Sequence, residues 1–266
     1  MKAELEADVD RLNALAEARK GEYASNAPFP HILLDDFVRS DILDNAIGEI
    51  TRIPASEWVV YDDDRFHRKS ACNAMLAMGP TTRALIHFLN GQEVTTFLEK
   101  LTGIVGLIPD PYLAGGGVHE MRDGGFLNIH ADFNVHRHLR LDRRVNLLLY
   151  LNRNWKEEYG GNLELWDTDM TACVRRYPPI FNRCVIFNTT DRSFHGNPQP
   201  VRTPDGRVRR SIAMYYYSNG RPKSEVSDEH MSLYQYRPGE GSAIDRGRRV
   251  LKRFVPPILA EILARK

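Results

Sequence analysis

Two histidines and an aspartate give the first chemical signal in this chain. His130 and Asp132 stand two residues apart in Leu127-Asn-Ile-His-Ala-Asp-Phe133. In a strand the side-chain period of two puts both on one face, so an imidazole and a carboxylate point the same way. His195 is the natural third donor, in Ser193-Phe-His-Gly196 shortly after the apolar run Cys184 to Asn188. Two imidazoles and one carboxylate leave three positions of a six-coordinate cation open, the arrangement Fe(II) needs to bind O₂ beside a second ligand. Plain alternatives stand beside this reading. A His-x-Asp pair also arises as a surface hydrogen bond, and a single histidine is more often structural than ligating. His136 and His138 form another spaced pair, but in a basic, loop-like stretch. His31, His67, His87, His119 and His230 show no comparable spacing.

A second signal follows the distal histidine. In Arg207-Val-Arg-Arg-Ser-Ile-Ala-Met-Tyr-Tyr-Tyr217, Arg209 and Ser211 share one strand face. A guanidinium beside a hydroxyl can grip a carboxylate through charge-assisted hydrogen bonds. A dicarboxylate held there by one end could chelate a metal with the other. The competing reading of this stretch is a basic strand edge that discourages aggregation, with Arg207 and Arg210 as its charges.

These side chains need a rigid frame. The region from Val118 to Asn219 is built of short β-branched and aromatic runs. The clearest predicted strands are Phe126 to Phe133, Val145 to Leu151, Leu163 to Trp166, Cys184 to Asn188 and Ser211 to Tyr217. Gly124-Gly125, Gly160-Gly161, Pro178-Pro179 and Pro204-Asp-Gly206 read as the turns between them. Many short strands favour a barrel or sandwich over a parallel α/β sheet. Ahead of them, residues 4 to 20 read as an amphipathic helix docked on the body, with a dimer-forming helix as the second reading. Asn26-Ala-Pro-Phe-Pro30 ends it. A strand from His31 to Phe37, a helix from Asp41 to Ile50 and two helices within residues 80 to 102 follow. The polar stretch Tyr61 to Ser70 reads as a surface loop, and a lid over the site is its more adventurous reading. The basic tail Arg246 to Lys266 reads as a docked terminal helix.

Composition sets the outer bounds. The 266 residues carry a net charge of +1, with 42% hydrophobic and 27% charged residues, ordinary values for a globular chain. No global field favours nucleic acid, and no apolar run approaches the length of a membrane span. The start lacks an apolar signal region, and the three scattered cysteines read as thiols of a reducing cytoplasm.

Six segments in order resemble the 2-oxoglutarate/Fe(II)-dependent oxygenase superfamily, and within it the prolyl 4-hydroxylase-like branch. They are Gly124 to Asn134, Arg143 to Asn152, Tyr159 to Trp166, Asn182 to Phe187, Ser193 to Gly196 and Arg209 to Tyr217. The resemblance implies a mainly β chain with flanking helices around a double-stranded β-helix, a cupin-like jelly-roll. It implies one oxygenase domain over residues 1–266, with an N-terminal helix in 1–27, the catalytic core at about 105–220 and a C-terminal extension in 221–266. It assigns Fe(II) to His130, Asp132 and His195. It assigns 2-oxoglutarate to Arg209, Ser211 and Asn146, with O₂ as co-substrate and ascorbate as an accessory reductant. Met121 stands where relatives commonly have a tyrosine that contacts the co-substrate. Asp132 favours hydroxylation, since related halogenases lack that carboxylate. The expected reaction hydroxylates an unactivated C–H bond and releases succinate and CO₂. The expected substrate is a small metabolite or amino acid; the alternatives are a prolyl-type residue in a protein and, from another class, a non-oxidative metal-binding jelly-roll.

Overall fold

The computed structural model describes residues 9–240. All elements below belong to the unit that ends at Gln235; of a second unit, beginning at Tyr236, only residues 236–240 are described. The predicted tail helix within 246–266, and the first residues of the predicted N-terminal helix, lie outside the described residues.

Helix α1 (Val9–Ser25) stops where Pro28 and Pro30 approach. It buries Leu12, Ala16 and Tyr23, and packs along α4 (Gln92–Thr102), from which Lys100 Nζ donates a hydrogen bond to Asn13 Oδ1 of α1 at 2.8 Å. Its apolar stripe is thus covered from within the chain. Helices α2 (Ser40–Ile50) and α3 (Pro80–Leu89) pack on each other, and Glu49 of α2 accepts the Thr81 and Thr82 N–H groups at the start of α3. Those donors have no partner within the helix, so a carboxylate there both satisfies them and faces the positive end of the helix dipole. Among the described residues no helix is long and apolar enough to cross a membrane.

Twelve strands form one strongly curled sheet, with every pair antiparallel. They are β1 (His31–Leu34), β2 (Val59–Tyr61), β3 (Phe66–Cys72), β4 (Ile108–Pro109), β5 (Gly117–Ala131) and β6 (Asp142–Tyr150). Then come β7 (Leu163–Trp166), β8 (Cys173–Tyr177), β9 (Cys184–Asn188), β10 (His195–Asn197), β11 (Arg209–Ser218) and β12 (Leu233–Tyr234). The main order is β1-β9-β6-β11-β5-β10-β7-β8. The first half of β5 pairs with β11 and the second half with β10, so this long strand belongs to both walls. The result is the expected jelly-roll, mainly β with helices on one face.

The period of two sorts its side chains. Leu147, Leu149, Ile186, Ile212, Met214 and Tyr216 join the helices in one core. Their neighbours Tyr150, Val185 and Phe187 turn inward and meet Leu163 and Leu165 of the opposite wall. On β11 the same alternation sends Arg209 and Ser211 inward and Arg210 outward, where its Nε donates to Glu120 at 2.6 Å. Since β11 lies between β6 and β5, it is no sheet edge, and Arg210 serves as half of an ion pair.

Three local expectations are corrected. Residues 61–70 are no surface loop: β2 and β3 form a hairpin, and β3 pairs along β5. Outward Arg68 and half-buried Lys69 on a strand near the rim look, in sequence, like a solvated loop. Gly124-Gly125 is no turn either, because β5 runs through it, opposite a register shift between His67 and Lys69. This is an irregular pairing of the bulge kind, which bends a strand without ending it. Finally, β5 ends at Ala131, so Asp132 sits one residue past the strand that carries His130.

Gly196 lets β10 lie close on β5. A Cβ there would stand 2.8 Å from the carbonyl oxygens of Leu127 and Asn128, both backbone atoms. Gly196→Ala is therefore expected to destabilise the protein by about 1–3 kcal/mol through overpacking. The check is the midpoint of denaturant unfolding, with an unchanged slope.

Candidate metal and co-substrate site

The curl of the sheet brings the three predicted donors together at the barrel mouth. His195 on β10 is the direct cross-strand partner of His130 on β5, and their rings lie 4.6 Å apart. Asp132 Oδ1 lies 3.5 Å from His130 Nε2, and Asp132 Oδ2 lies 3.5 Å from His195 Nε2. One donor atom from each residue falls within 4.8 Å of the others. Both imidazoles are oriented by the main chain: His130 Nδ1 donates to the Asn128 carbonyl at 2.8 Å and His195 Nδ1 to the Ser193 carbonyl at 2.9 Å. That leaves each Nε2 as a lone-pair donor facing Asp132, the tautomer a metal requires. Phe187 meets the His195 ring edge to face at 4.7 Å, and Tyr234 of β12 stacks on His130 at 5.2 Å.

The carboxylate is held as firmly as the imidazoles. The fully buried Arg143 guanidinium lies 2.9 Å from Asp132 Oδ2, and Asn146 Nδ2 donates to that same oxygen at 2.7 Å. Asn146 Oδ1 in turn accepts from Arg143 Nε and NH2 at 3.0 and 2.9 Å. Arg143 is sandwiched by aromatic faces, 3.5 Å from the Tyr215 centroid and 4.4 Å from that of Phe133. Burial alone would raise the Asp132 carboxyl, but the Arg143 guanidinium holds it well below the usual carboxylate range. Burial pushes the His195 imidazole down to about 4, against the pull of Asp132, so it is neutral at physiological pH. Two imidazole nitrogens and one ionised carboxylate suit a borderline divalent cation such as Fe(II).

The triad lines a cavity of about 410 Å³, and the other predicted residues line it too. Arg209 is buried, donates from Nε to the Gly161 carbonyl at 2.7 Å, and lies 5.0 Å from the Tyr150 ring centroid. Gly161 has φ +65°, and a Cβ on it would stand 2.9 Å from Arg209 Cδ, so glycine is required for this approach. Ser211 is the cross-strand neighbour of Tyr150. Among the described residues the buried Tyr150 hydroxyl makes no hydrogen bond of normal geometry, with the Arg209 guanidinium beside it. Guanidinium, serine and phenol thus share one end of the cavity, while the triad occupies another part of it. Met121, Leu127, Leu148 and Leu163 give the cavity an apolar lining.

All six predicted residues are therefore brought together, although Asn146 has both ends of its amide engaged by Asp132 and Arg143. Sequence reasoning missed Arg143 and Tyr150 as individual residues, and Lys69 and Tyr234 altogether. Alternation along Val145 to Leu151 places Asn146 and Tyr150 on one inward face, a signal that could have found Tyr150. His136 is structural: its Nδ1 accepts the N–H groups of His138 and Leu139, and its Nε2 donates to Asp110 at 3.2 Å.

Residues 116–217 match the sequence profile of the 2OG-Fe(II) oxygenase superfamily. Prolyl 3-hydroxylase OGFOD1 of Mus musculus is 28% identical over 108 residues, which cover 35% of this chain and 20% of that protein. The match thus spans about a fifth of the length of this curated relative. Among solved structures, a prolyl hydroxylase from Trichoplax adhaerens in complex with a hypoxia-inducible-factor peptide fragment has a TM-score of 0.59 at 18% identity, covering 79% of this chain and 92% of its own. HygX from Streptomyces hygroscopicus, with nickel, 2-oxoglutarate and hygromycin B bound, has a TM-score of 0.50 at 13% identity, covering 76% and 92%. The profile match falls on the strands that carry the triad, so over residues 116–217 the chain is similar to the 2OG-Fe(II) oxygenase superfamily.

Proposed function

We propose that this protein is a 2-oxoglutarate- and Fe(II)-dependent hydroxylase, with His130, Asp132 and His195 as the metal ligands. The observation that carries the reading is one cavity with two complementary parts. One is a preoriented two-histidine, one-carboxylate donor set; the other is an anion grip of Arg209, Ser211 and Tyr150. A bound Fe(II) supplies O₂ activation coupled to oxidative decarboxylation of 2-oxoglutarate to succinate and CO₂. The chain's own part is to bind, orient and exclude water. With Arg209 Nε committed to Gly161, its terminal nitrogens remain for a carboxylate, and the Tyr150 hydroxyl gains a hydrogen-bond acceptor. The apolar lining accommodates the carbon chain of the co-substrate.

The reading extends to the substrate. The sequence pointed to a compact metabolite; the named relatives shift the weight to a residue within a polypeptide, as in a prolyl hydroxylase. Among the described residues β2 pairs only with β3, and Val59 and Val60 on it are 53% and 67% exposed. Tyr61, the last residue of β2, lines the cavity. An extended peptide can add to the edge of such a strand through main-chain hydrogen bonds. Mass spectrometry should find a gain of one oxygen in a peptide pool and none in a pool of free amino acids. The reverse result restores the small-molecule reading, for which HygX is the fold's precedent.

Three variants test the site. His130→Ala is expected to abolish iron-dependent succinate formation. Arg209→Met is expected to raise the 2-oxoglutarate requirement at least tenfold, about the worth of a charged hydrogen bond. Arg143→Met strips Asp132 of its cation, and loss of such a partner around a ligand typically weakens metal binding by about 10–100-fold. Calorimetric titration with Mn(II) checks this; unchanged affinity would remove Arg143 from the account.

A further inference from the structure

The proposed function leaves Lys69, a charged group lining the cavity, without a role. Lys69 on β3 is directly opposite Met121 on β5, and Met121 is directly opposite Arg209 on β11. Residues directly opposite in antiparallel strands project from the same face, so Lys69, Met121 and Arg209 form one row across three strands. All three line the cavity. Two strand spacings separate the backbones of Lys69 and Arg209 by about 10 Å, and both side chains are long enough to reach into the space between them.

The charges along this row are not balanced by protein. Among the described residues the Lys69 amine makes no hydrogen bond or ion pair; it lies 5.3 Å from the Tyr61 ring centroid. The one residue between the two cations, Met121, is neutral, and its sulfur already accepts from Asn197 Nδ2 at 3.0 Å. Arg143 is answered by Asp132, whereas Arg209, among the described residues, meets the Gly161 carbonyl and Tyr150 but no carboxylate. Burial lowers the Lys69 ammonium to about 8, with Asp132 opposing that shift and Arg209 and Arg143 adding to it. Lys69 therefore keeps most of its charge at neutral pH, within the influence of the metal end and of the anchor end together. Two uncompensated cations facing one cavity are costly in the free protein, and a dianion lying between them would relieve both.

We propose that Lys69 is a second cationic contact for 2-oxoglutarate, reaching it between the metal end and the carboxylate gripped by Arg209. This rests on the co-substrate reading given above. Arg209 holds one end from β11 while Lys69 approaches from β3, so the hairpin that looked like a surface loop becomes a wall of the co-substrate site. A purely structural lysine would behave differently. Its replacement by an apolar side chain of similar length would either cost stability or change nothing at the site.

The test is calorimetric titration of 2-oxoglutarate into the full chain loaded with Mn(II), for wild type, K69M and K69R. The expected result is a rise of about tenfold or more in the K69M dissociation constant, with most of the affinity kept in K69R. Mn(II) affinity in the absence of 2-oxoglutarate should stay within twofold of wild type. The melting temperature of ligand-free K69M should be unchanged or higher, since an unpaired buried charge is removed. K69M binding within twofold of wild type overturns the inference and leaves the co-substrate site intact, with Lys69 then free for an anionic group of the primary substrate. A K69M protein that melts earlier and loses Mn(II) also overturns it, in favour of a structural lysine. No binding by wild type removes both this inference and the co-substrate reading.

Discussion

The ionised Asp132 carboxylate is the constraint around which the site is organised. A carboxylate removed from water is costly unless charge and hydrogen bonds replace its solvation. Here Arg143 and Asn146 converge on one oxygen, and Asn146 is itself held by Arg143. The guanidinium is kept in place by the Tyr215 and Phe133 faces, so the carboxylate has little freedom to turn. This rigidity matters more than the energy of any one contact. A ligand set works when its members wait in the right orientation, and each imidazole is likewise fixed through Nδ1.

The fold supplies that constraint through one repeated device, the two-faced strand. On β6, Val145, Leu147 and Leu149 face the helices, while Asn146 and Tyr150 face the cavity. On β11, Ile212 and Met214 pack outward, and Arg209 and Ser211 point in. The helices α1 to α4 therefore act on the chemistry only indirectly, by covering the outer face that fixes each register. A slip of one residue on β11 would exchange Arg209 for Arg210 and cost both the anion grip and the Glu120 ion pair. Strand β5 carries the longest part of the design: its first half faces Arg209 across Met121, and its second half carries His130 beside His195.

Much of this was legible in the sequence where a local rule had a direct structural consequence. The spacing of Arg209 and Ser211 follows from strand period; the same reading of His130 and Asp132 overruns β5, which ends at Ala131, and the structure brings all four to one cavity. The helices were legible from their apolar spacing and from the prolines after α1. Two kinds of feature were not. The pairing of β3 with β5 is non-local, and a strand bearing Arg68 and Lys69 carries no alternation that a window of residues can read. The grip on Asp132 needs Arg143 to fold back over Tyr215, which no spacing rule foretells. Similarly, β12 is only two residues long, yet it places Tyr234 on His130.

The similarity to the 2OG-Fe(II) oxygenase superfamily spans residues 116–217, and the triad and anion grip lie within that span. What the strand geometry adds is a reason for each side chain to be where it is. The central claim is that this cavity couples O₂ reduction to 2-oxoglutarate cleavage. It is tested most directly by supplying isotopically heavy O₂ to the Fe(II)-loaded protein with 2-oxoglutarate and analysing the succinate by mass spectrometry. The account predicts iron-dependent succinate carrying one heavy oxygen atom per molecule formed. Succinate that forms without iron or carries no label, or no succinate at all with any substrate pool supplied, would contradict it.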